Sequence, residues 1–137
     1  METSPLGFLK LNVDGALDLQ RQKGGIGGLL RDSKGSILSS FAETYGAEPP
    51  TVVELMTIKH IIRFFLSSSW SEKYRLIIES DCKTAVEWIN GIKVAPLTVL
   101  QLIRELSQTI KDRGIFVHFI YRGCNLEADI LARSGIG

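Results

Sequence analysis

The sequence predicts a single mixed α/β domain in which an antiparallel meander of strands is joined to parallel strands, with helices packed on the sheet. Three observations carry this expectation. Segments near the start alternate apolar and polar residues with the period of a strand, whereas segments after Pro49-Pro50 repeat with the period of a helix. A compact aliphatic run, Leu76-Ile77-Ile78, stands between two helical patterns. The chain has 137 residues, 45% hydrophobic and 23% charged. At this length a chain buries roughly two thirds of its unfolded surface, so it needs no disulfide or structural metal to fold.

The elements follow in order. Phe8 to Val13 places Leu9, Leu11 and Val13 on one face and Phe8, Lys10 and Asn12 on the other, a first strand ending at Asp14-Gly15. The glycine-rich run Gly24 to Leu30, the turn Asp32-Ser33-Lys34-Gly35 and the run Ser36 to Glu43 predict a second strand, a hairpin turn and a third strand. The glycines lack the Lys-Ser or Lys-Thr of a phosphate-cradling loop, and no helix pattern follows them, so close packing or a bulge within a strand is the expectation. From Thr51, Leu55, Ile58, Ile61, Ile62 and Phe65 recur on one helix face until Ser67-Ser68-Ser69. Tyr74 to Ser80 reads as a strand buried on both faces and central in the sheet. A short helix after Asp81 runs to Asn90-Gly91, and a longer one after Pro96 aligns Leu100, Ile103, Leu106 and Ile110 before Gly114. Ile115 to Tyr121 reads as a last strand and Leu126 to Ser134 as a last helix capped by Asn125. Residues 1–7 are expected to be a flexible N-terminal segment and 8–137 the domain.

Composition narrows the function. Sixteen Lys and Arg against 15 Asp and Glu give a net charge of +1, which excludes binding of nucleic acid by bulk charge alone, so a polyanion must be held locally. Cys82 and Cys124 are the only cysteines, too few for a disulfide scaffold and too far apart for a zinc site, which points to an intracellular, reducing compartment. The longest apolar run, Ile61 to Leu66, is interrupted by Arg63, so no membrane span or membrane partner is expected. The first residues lack the basic and apolar regions of a secretory signal.

Four acids carry the chemical signal: Asp14 at the end of the first strand, Glu54 in the first helix, Asp81 after the aliphatic strand and Asp129 in the last helix. Helical spacing puts Glu54 on the same face as Ile58, Ile61, Ile62 and Phe65, where an acid needs a partner. Asp14 and Asp81 each close a strand, and adjacent parallel strands bring such ends side by side. Clustered carboxylates repel unless a cation neutralises them, and oxygen ligands without His or Cys select Mg²⁺ or Mn²⁺. Such an ion commonly shares its octahedron with a substrate phosphate, which directs attention to phosphodiester chemistry.

The residues resemble a known family. Lys10-Leu-Asn-Val-Asp14-Gly-Ala16, Gly25-Ile-Gly-Gly-Leu-Leu-Arg-Asp32, Glu54-Leu55, Ile78-Glu-Ser-Asp81 with Ala85-Val86, and Arg122-Gly-Cys-Asn125 through Ala128-Asp-Ile-Leu-Ala132 stand in the order of a ribonuclease H domain of the reverse-transcriptase-like type common in plants. The resemblance spans nearly the whole chain. It implies an RNase H-like three-layer α/β fold with a five-stranded mixed sheet, and hydrolysis of the RNA strand of an RNA–DNA hybrid; a monomer is expected. By position it makes Asp14, Glu54, Asp81 and Asp129 the catalytic and metal-binding acids. It implies two Mg²⁺ ions, replaceable by Mn²⁺, roughly 4 Å apart across the scissile phosphate. In that scheme Asp14 bridges both ions, Glu54 and Asp81 hold the one nearer the leaving group and Asp129 the one nearer the water. Gly15, Arg122 and Asn125 are the implied substrate-binding residues, and contacts to 2′-hydroxyls make cutting independent of sequence.

One departure bears on activity. Many relatives carry a histidine in the loop before the last acid, whereas Tyr121-Arg122-Gly123-Cys124-Asn125 has none, His118 falls within a strand and His60 within a helix. The expectation is therefore a weak enzyme, with an inactive nucleic-acid- or protein-binding module of retroelement origin as the alternative. Plainer readings stand beside each acid. Thr51 and Glu54 fit a capping box, Asp81 fits a helix N-cap, Asp129 fits the first turn of a helix and Asp14-Gly15 fits a turn. Asn125 as an N-cap competes with a substrate role, Lys59 and Arg63 read as a solvated face, Trp70 and Trp88 as core or rim, and Cys82 as packing.

Overall fold

The computed structural model describes residues 7–18, 23–46 and 49–121, with the side chains of 14–18, 23, 45 and 46 excepted. The predicted final helix, with Arg122, Asn125 and Asp129, lies outside the described residues, as does the segment 1–6. Strands β1 (Phe8–Asp18), β2 (Lys23–Arg31) and β3 (Ile37–Gly46) come first. Helix α1 (Pro50–Ser67) and a 3₁₀ turn (Ser69–Glu72) lead to strand β4 (Arg75–Ser80). Helices α2 (Lys83–Ile89) and α3 (Leu97–Arg113) and strand β5 (Phe116–Phe119) complete the described order. The sheet has five strands in the order β3-β2-β1-β4-β5. The β1–β2 and β2–β3 ladders are antiparallel, and β1–β4 and β4–β5 are parallel. The expected meander and parallel extension are both present, but the central strand is β1 rather than the aliphatic β4, which lies one place off centre.

Alternation decides what each face of the sheet does. Leu9, Leu11 and Val13 of β1 and Leu76 and Ile78 of β4 pack with Leu55, Ile58, Ile61, Ile62 and Phe65 of α1, Val86 and Ile89 of α2, and Ile103, Leu106 and Ile110 of α3 in one core. These are the helix faces that the period of the sequence picks out. The other face of β1 and β4 carries Lys10, Asn12, Ile77 and Glu79, with Lys10, Asn12 and Ile77 buried. Trp70 and Trp88 are partly buried against the core, as expected. No helix of the described residues is long and apolar enough to cross a membrane.

Local chemistry fixes the turns. Asp32 Oδ1 accepts the backbone N–H groups of Lys34 and Ser36, each at 2.9 Å, while Gly35 takes φ +83°. Gly114 ends α3 with φ +64°, its N–H reaching back to the α3 carbonyls. The 3₁₀ turn after α1 was not expected from the sequence; Ser68 and Ser71 stabilise it by donating hydroxyl hydrogens to the carbonyls of Phe65 and Ser68.

The β2 glycines lie in the strand, and the register shift falls at Leu30/Arg31, not at a glycine. Gly28 shows what close packing means here. A Cβ there would lie 2.3 Å from Phe41 Cε1 and 3.2 Å from the Asn12 carbonyl oxygen. Gly28→Ala therefore forces the Phe41 ring out of its place, and we expect a loss of about 1–3 kcal/mol in urea unfolding. Adding Phe41→Ala should make the Gly28→Ala change much less costly; equal costs in both backgrounds would show that the contact is not what requires glycine.

Candidate active site

β1 and β4 run side by side in register, with Val13 opposite Ser80. The next residues along the two strands are Asp14 and Asp81, so the backbone brings these two positions together where the sequence placed them. Asp14 is not in a turn. The β1 strand continues through it to Asp18, with Asp14 opposite Gly27 and Gly15 opposite Ile26. The turn reading of Asp14-Gly15 is corrected by this pairing: strand hydrogen bonding to the glycine-rich β2 carries the chain straight on.

Glu54 enters from α1. It is 2% exposed, among the most buried side chains of the protein. Its Oε1 accepts a 2.6 Å hydrogen bond from the Ser80 hydroxyl, the last residue of β4. Ser80 is itself fully buried, and its oxygen also accepts the Cys82 N–H at 3.0 Å. One hydroxyl thus ties the helix acid to the strand end and shapes the turn that presents Asp81. The capping-box reading of Glu54 does not hold, because Pro49 occupies the N-cap of α1 and no side chain caps it. Thr51 instead meets the Cys82 thiol at 3.9 Å. Asp81 is not the cap of α2 either; Cys82 holds that position, again without a side-chain cap bond. Asp81 is half-buried, with Oδ2 shielded from solvent.

Burial pushes the Cys82 thiol above its ordinary pKa. The carboxylates of Glu54 and Asp81 push it the same way, while hydrogen bonding to the Ala85 backbone and the Thr51 hydroxyl opposes them. Cys82 is thus a neutral side chain at neutral pH that feels both acids, which places Glu54 and Asp81 in one electrostatic neighbourhood. A protonated thiol is a poor metal ligand, so the groups here that could hold a cation are the carboxylate oxygens of Glu54 and Asp81. Among the described residues no group of three or more His, Cys, Asp and Glu is assembled as a metal site. The pair present, one carboxylate fully buried and one with a shielded oxygen, has the chemistry that a hard dication relieves.

His118 lies in β5 and His60 in α1, where His60 stands 4.0 Å from Glu43, far along the sheet from β4. Lys59 and Arg63 line an open groove between α1 and α3 together with Glu105 and Asp112, in keeping with a solvated face of mixed charge. Sequence reasoning missed Ser80. Its signal was a polar residue closing an otherwise aliphatic buried strand, directly before a candidate acid.

Ser80→Ala leaves a buried carboxylate without this donor and the Cys82 amide without its acceptor. We expect a loss of about 1–3 kcal/mol by chemical denaturation, with Ser80→Thr retaining most of the stability. Equal stability of Ser80→Ala and the parent chain would show that the bond contributes nothing net.

Known structures share this architecture. LC11-RNase H1, isolated from compost by a metagenomic approach, superposes with a TM-score of 0.83 at 19% identity, covering 96% of each chain. RNase H1 of the halophilic archaeon Halobacterium salinarum gives a TM-score of 0.77 at 17% identity, covering 94% of this chain and 97% of its own. LC11-RNase H1 in complex with an RNA/DNA hybrid matches with a TM-score of 0.75 at 19% identity, over 93% and 96% of the two chains. These likenesses establish the ribonuclease H fold. No curated protein sequence matches the chain. The family model described as reverse transcriptase-like matches residues 12–135. With a match that runs from the middle of β1 to within a few residues of the end, the chain belongs to the reverse transcriptase-like family.

Proposed function

We propose that the chain is a metal-dependent endonuclease that hydrolyses the RNA strand of RNA–DNA hybrids. The observation that carries this reading is the junction of three elements at one end of the sheet. There, β1 carries Asp14, β4 ends at Ser80 before Asp81, and buried Glu54 of α1 is bonded to the Ser80 hydroxyl. The substrate class is taken from LC11-RNase H1, which is found bound to an RNA/DNA hybrid.

Asp14, Glu54, Asp81 and Asp129 are the residues that would hold Mg²⁺. When bound by such acids, Mg²⁺ supplies Lewis acidity to the attacking water and to the charge that develops on the departing oxygen. The protein's own part is placement. Ser80 restrains one oxygen of Glu54 through the 2.6 Å bond, so the carboxylate is oriented before anything binds. Neutral Cys82 leaves the oxygen set unchallenged. Water attacks phosphorus, the P–O3′ bond breaks, and the products are a 5′-phosphate and a 3′-hydroxyl. Gly15, Arg122 and Asn125 would contact the hybrid backbone, and 2′-hydroxyls across the minor groove would mark the RNA strand.

A second reading has one observation in its favour. The loop Tyr121-Arg122-Gly123-Cys124-Asn125 offers no histidine to carry protons. Loss of such a group slows turnover by roughly 10²-fold, and an idle module of the same fold is the limiting case. The two readings separate in a cleavage assay with a labelled hybrid in Mg²⁺ or Mn²⁺. We expect slow cleavage that disappears in Asp14→Asn and Asp81→Asn, both still folded by circular dichroism. No cleavage by the parent chain at high concentration with either metal supports the binding module.

Glu54→Gln adds a test through stability. It keeps an acceptor for Ser80 and removes a buried charge, so we expect an unchanged or higher Tm in EDTA together with lost cleavage. The rise of Tm that Mg²⁺ gives the parent chain should be diminished in this variant. A clear fall of Tm in EDTA would show that the charge stabilises the fold without any metal.

A further inference from the structure

We propose that Lys10, Asn12 and Glu79 form a positioning bridge that fixes the spacing of Asp14 and Asp81. The proposal deepens the nuclease reading and rests on it only for its metal-binding arm.

The bridge crosses the β1–β4 ladder. Asn12 and Glu79 are register partners on the two strands. Asn12 Nδ2 donates a 2.8 Å hydrogen bond to Glu79 Oε1, and Lys10 Nζ lies 3.5 Å from Glu79 Oε2. Asn12 is fully buried and Lys10 is 7% exposed. Asn12 precedes Asp14 by two residues within β1, and Glu79 precedes Asp81 by two at the end of β4, so the bridge crosses the ladder one pleat before the two acid positions.

Fold stability does not call for polar residues here. Leu29 and Ile77 flank them on the same face and are buried. An aliphatic pair at Asn12 and Glu79 would avoid desolvating a carboxylate and an ammonium, and replacement of a buried ion pair by apolar residues is often neutral or stabilising. The amide is also incompletely used, since Asn12 Oδ1 is buried and accepts no hydrogen bond among the described residues. What the polar set supplies is direction. A hydrogen bond of defined length across the ladder fixes the lateral relation of the strands more narrowly than aliphatic packing, one pleat before the two acids. Lys10 balances the charge of Glu79, so the bridge adds no net negative charge beside the acid nest. Ser80 acts on Glu54 from one face of β4, and Glu79 acts on the β1 partner from the other.

The test uses the full chain with Asn12→Ala, Glu79→Leu and the neutral pair Lys10→Met with Glu79→Gln, which keeps an acceptor for the Asn12 amide. In the metal-free protein we expect Asn12→Ala and Glu79→Leu to shift the carboxyl ¹³C signals of both Asp14 and Asp81. Their amides should also exchange with solvent on the order of tenfold faster. The neutral pair should return the signals toward those of the parent chain. Mg²⁺ affinity measured by calorimetry without substrate should fall roughly tenfold in the first two variants, the scale at which residues supporting ligands act. A lower Tm with unmoved Asp14 and Asp81 signals and unchanged Mg²⁺ affinity would overturn the bridge and leave a merely structural polar cluster. Should the parent chain bind no Mg²⁺, the nuclease reading falls and the metal-free signals alone decide the bridge. Asn12→Ala adds no bulk, so it serves if Glu79→Leu fails to fold.

Discussion

The parallel ladder between β1 and β4 is the constraint on which the rest of the structure depends. Its register, Val13 opposite Ser80, determines which residues leave the two strands side by side. A slip of one residue would turn every side chain of one strand to the wrong face, setting Lys10 and Asn12 against the apolar face of α1 and moving Leu9 and Leu11 out of that core. The apolar set and the candidate acids are therefore locked by the same hydrogen bonds. β2 supports this from the other side of β1. Its Gly28 lets Phe41 of β3 lie flat against the strand, and its Gly27 faces the backbone of Asp14.

Against that ordering works a local electrostatic opposition. A carboxylate as buried as Glu54 carries a desolvation penalty of several kcal/mol before compensation, and a second carboxylate, Asp81, stands in the same neighbourhood. The Ser80 hydroxyl offsets part of the penalty and holds the geometry. A sequence selected for folding alone would place an aliphatic residue at Glu54, on the helix face shared with Ile58, Ile61 and Ile62. Retaining an acid there is a departure from local consistency of the kind that marks functional positions.

How much of this the sequence disclosed depended on whether the signal was periodic or pairwise. Glu54 was legible because the helical period assigns it to the buried face whatever the tertiary partners are. Asp14 and Asp81 were legible as neighbouring positions, since alternation and the aliphatic run place them directly after Val13 and Ser80, although β1 runs on to Asp18. The motif-based alternatives failed for identifiable reasons. Thr51 and Glu54 have capping-box spacing, but the N-cap of α1 lies two residues earlier, at Pro49, so the box is out of phase with the helix. Asp14-Gly15 looks like a turn only while β2 is unseen, because a strand's length is set by its neighbours. The Gly28–Phe41 contact, the Ser80–Glu54 bond and the Asn12–Glu79 pair join residues far apart in the chain. Nothing in a single sequence specifies such pairs before the register is known.

The near-neutral charge acquires a physical meaning in this frame. With a net charge of +1, long-range attraction to a polyanion is weak, so under the proposed function affinity for nucleic acid would have to come from short contacts and from cations held at the acids. Among the described residues, Lys10 is set against Glu79 one pleat before the acid positions, so this pair adds no net negative charge there. The same logic explains why Cys82 is tolerated beside Asp81. Held protonated by burial and by the neighbouring carboxylates, it adds neither charge nor a competing soft ligand. Among the described residues, the buried carboxylate of Glu54 and the shielded oxygen of Asp81 stand beside a neutral thiol and a charge-paired Lys10–Glu79, an arrangement that leaves a divalent cation something to neutralise.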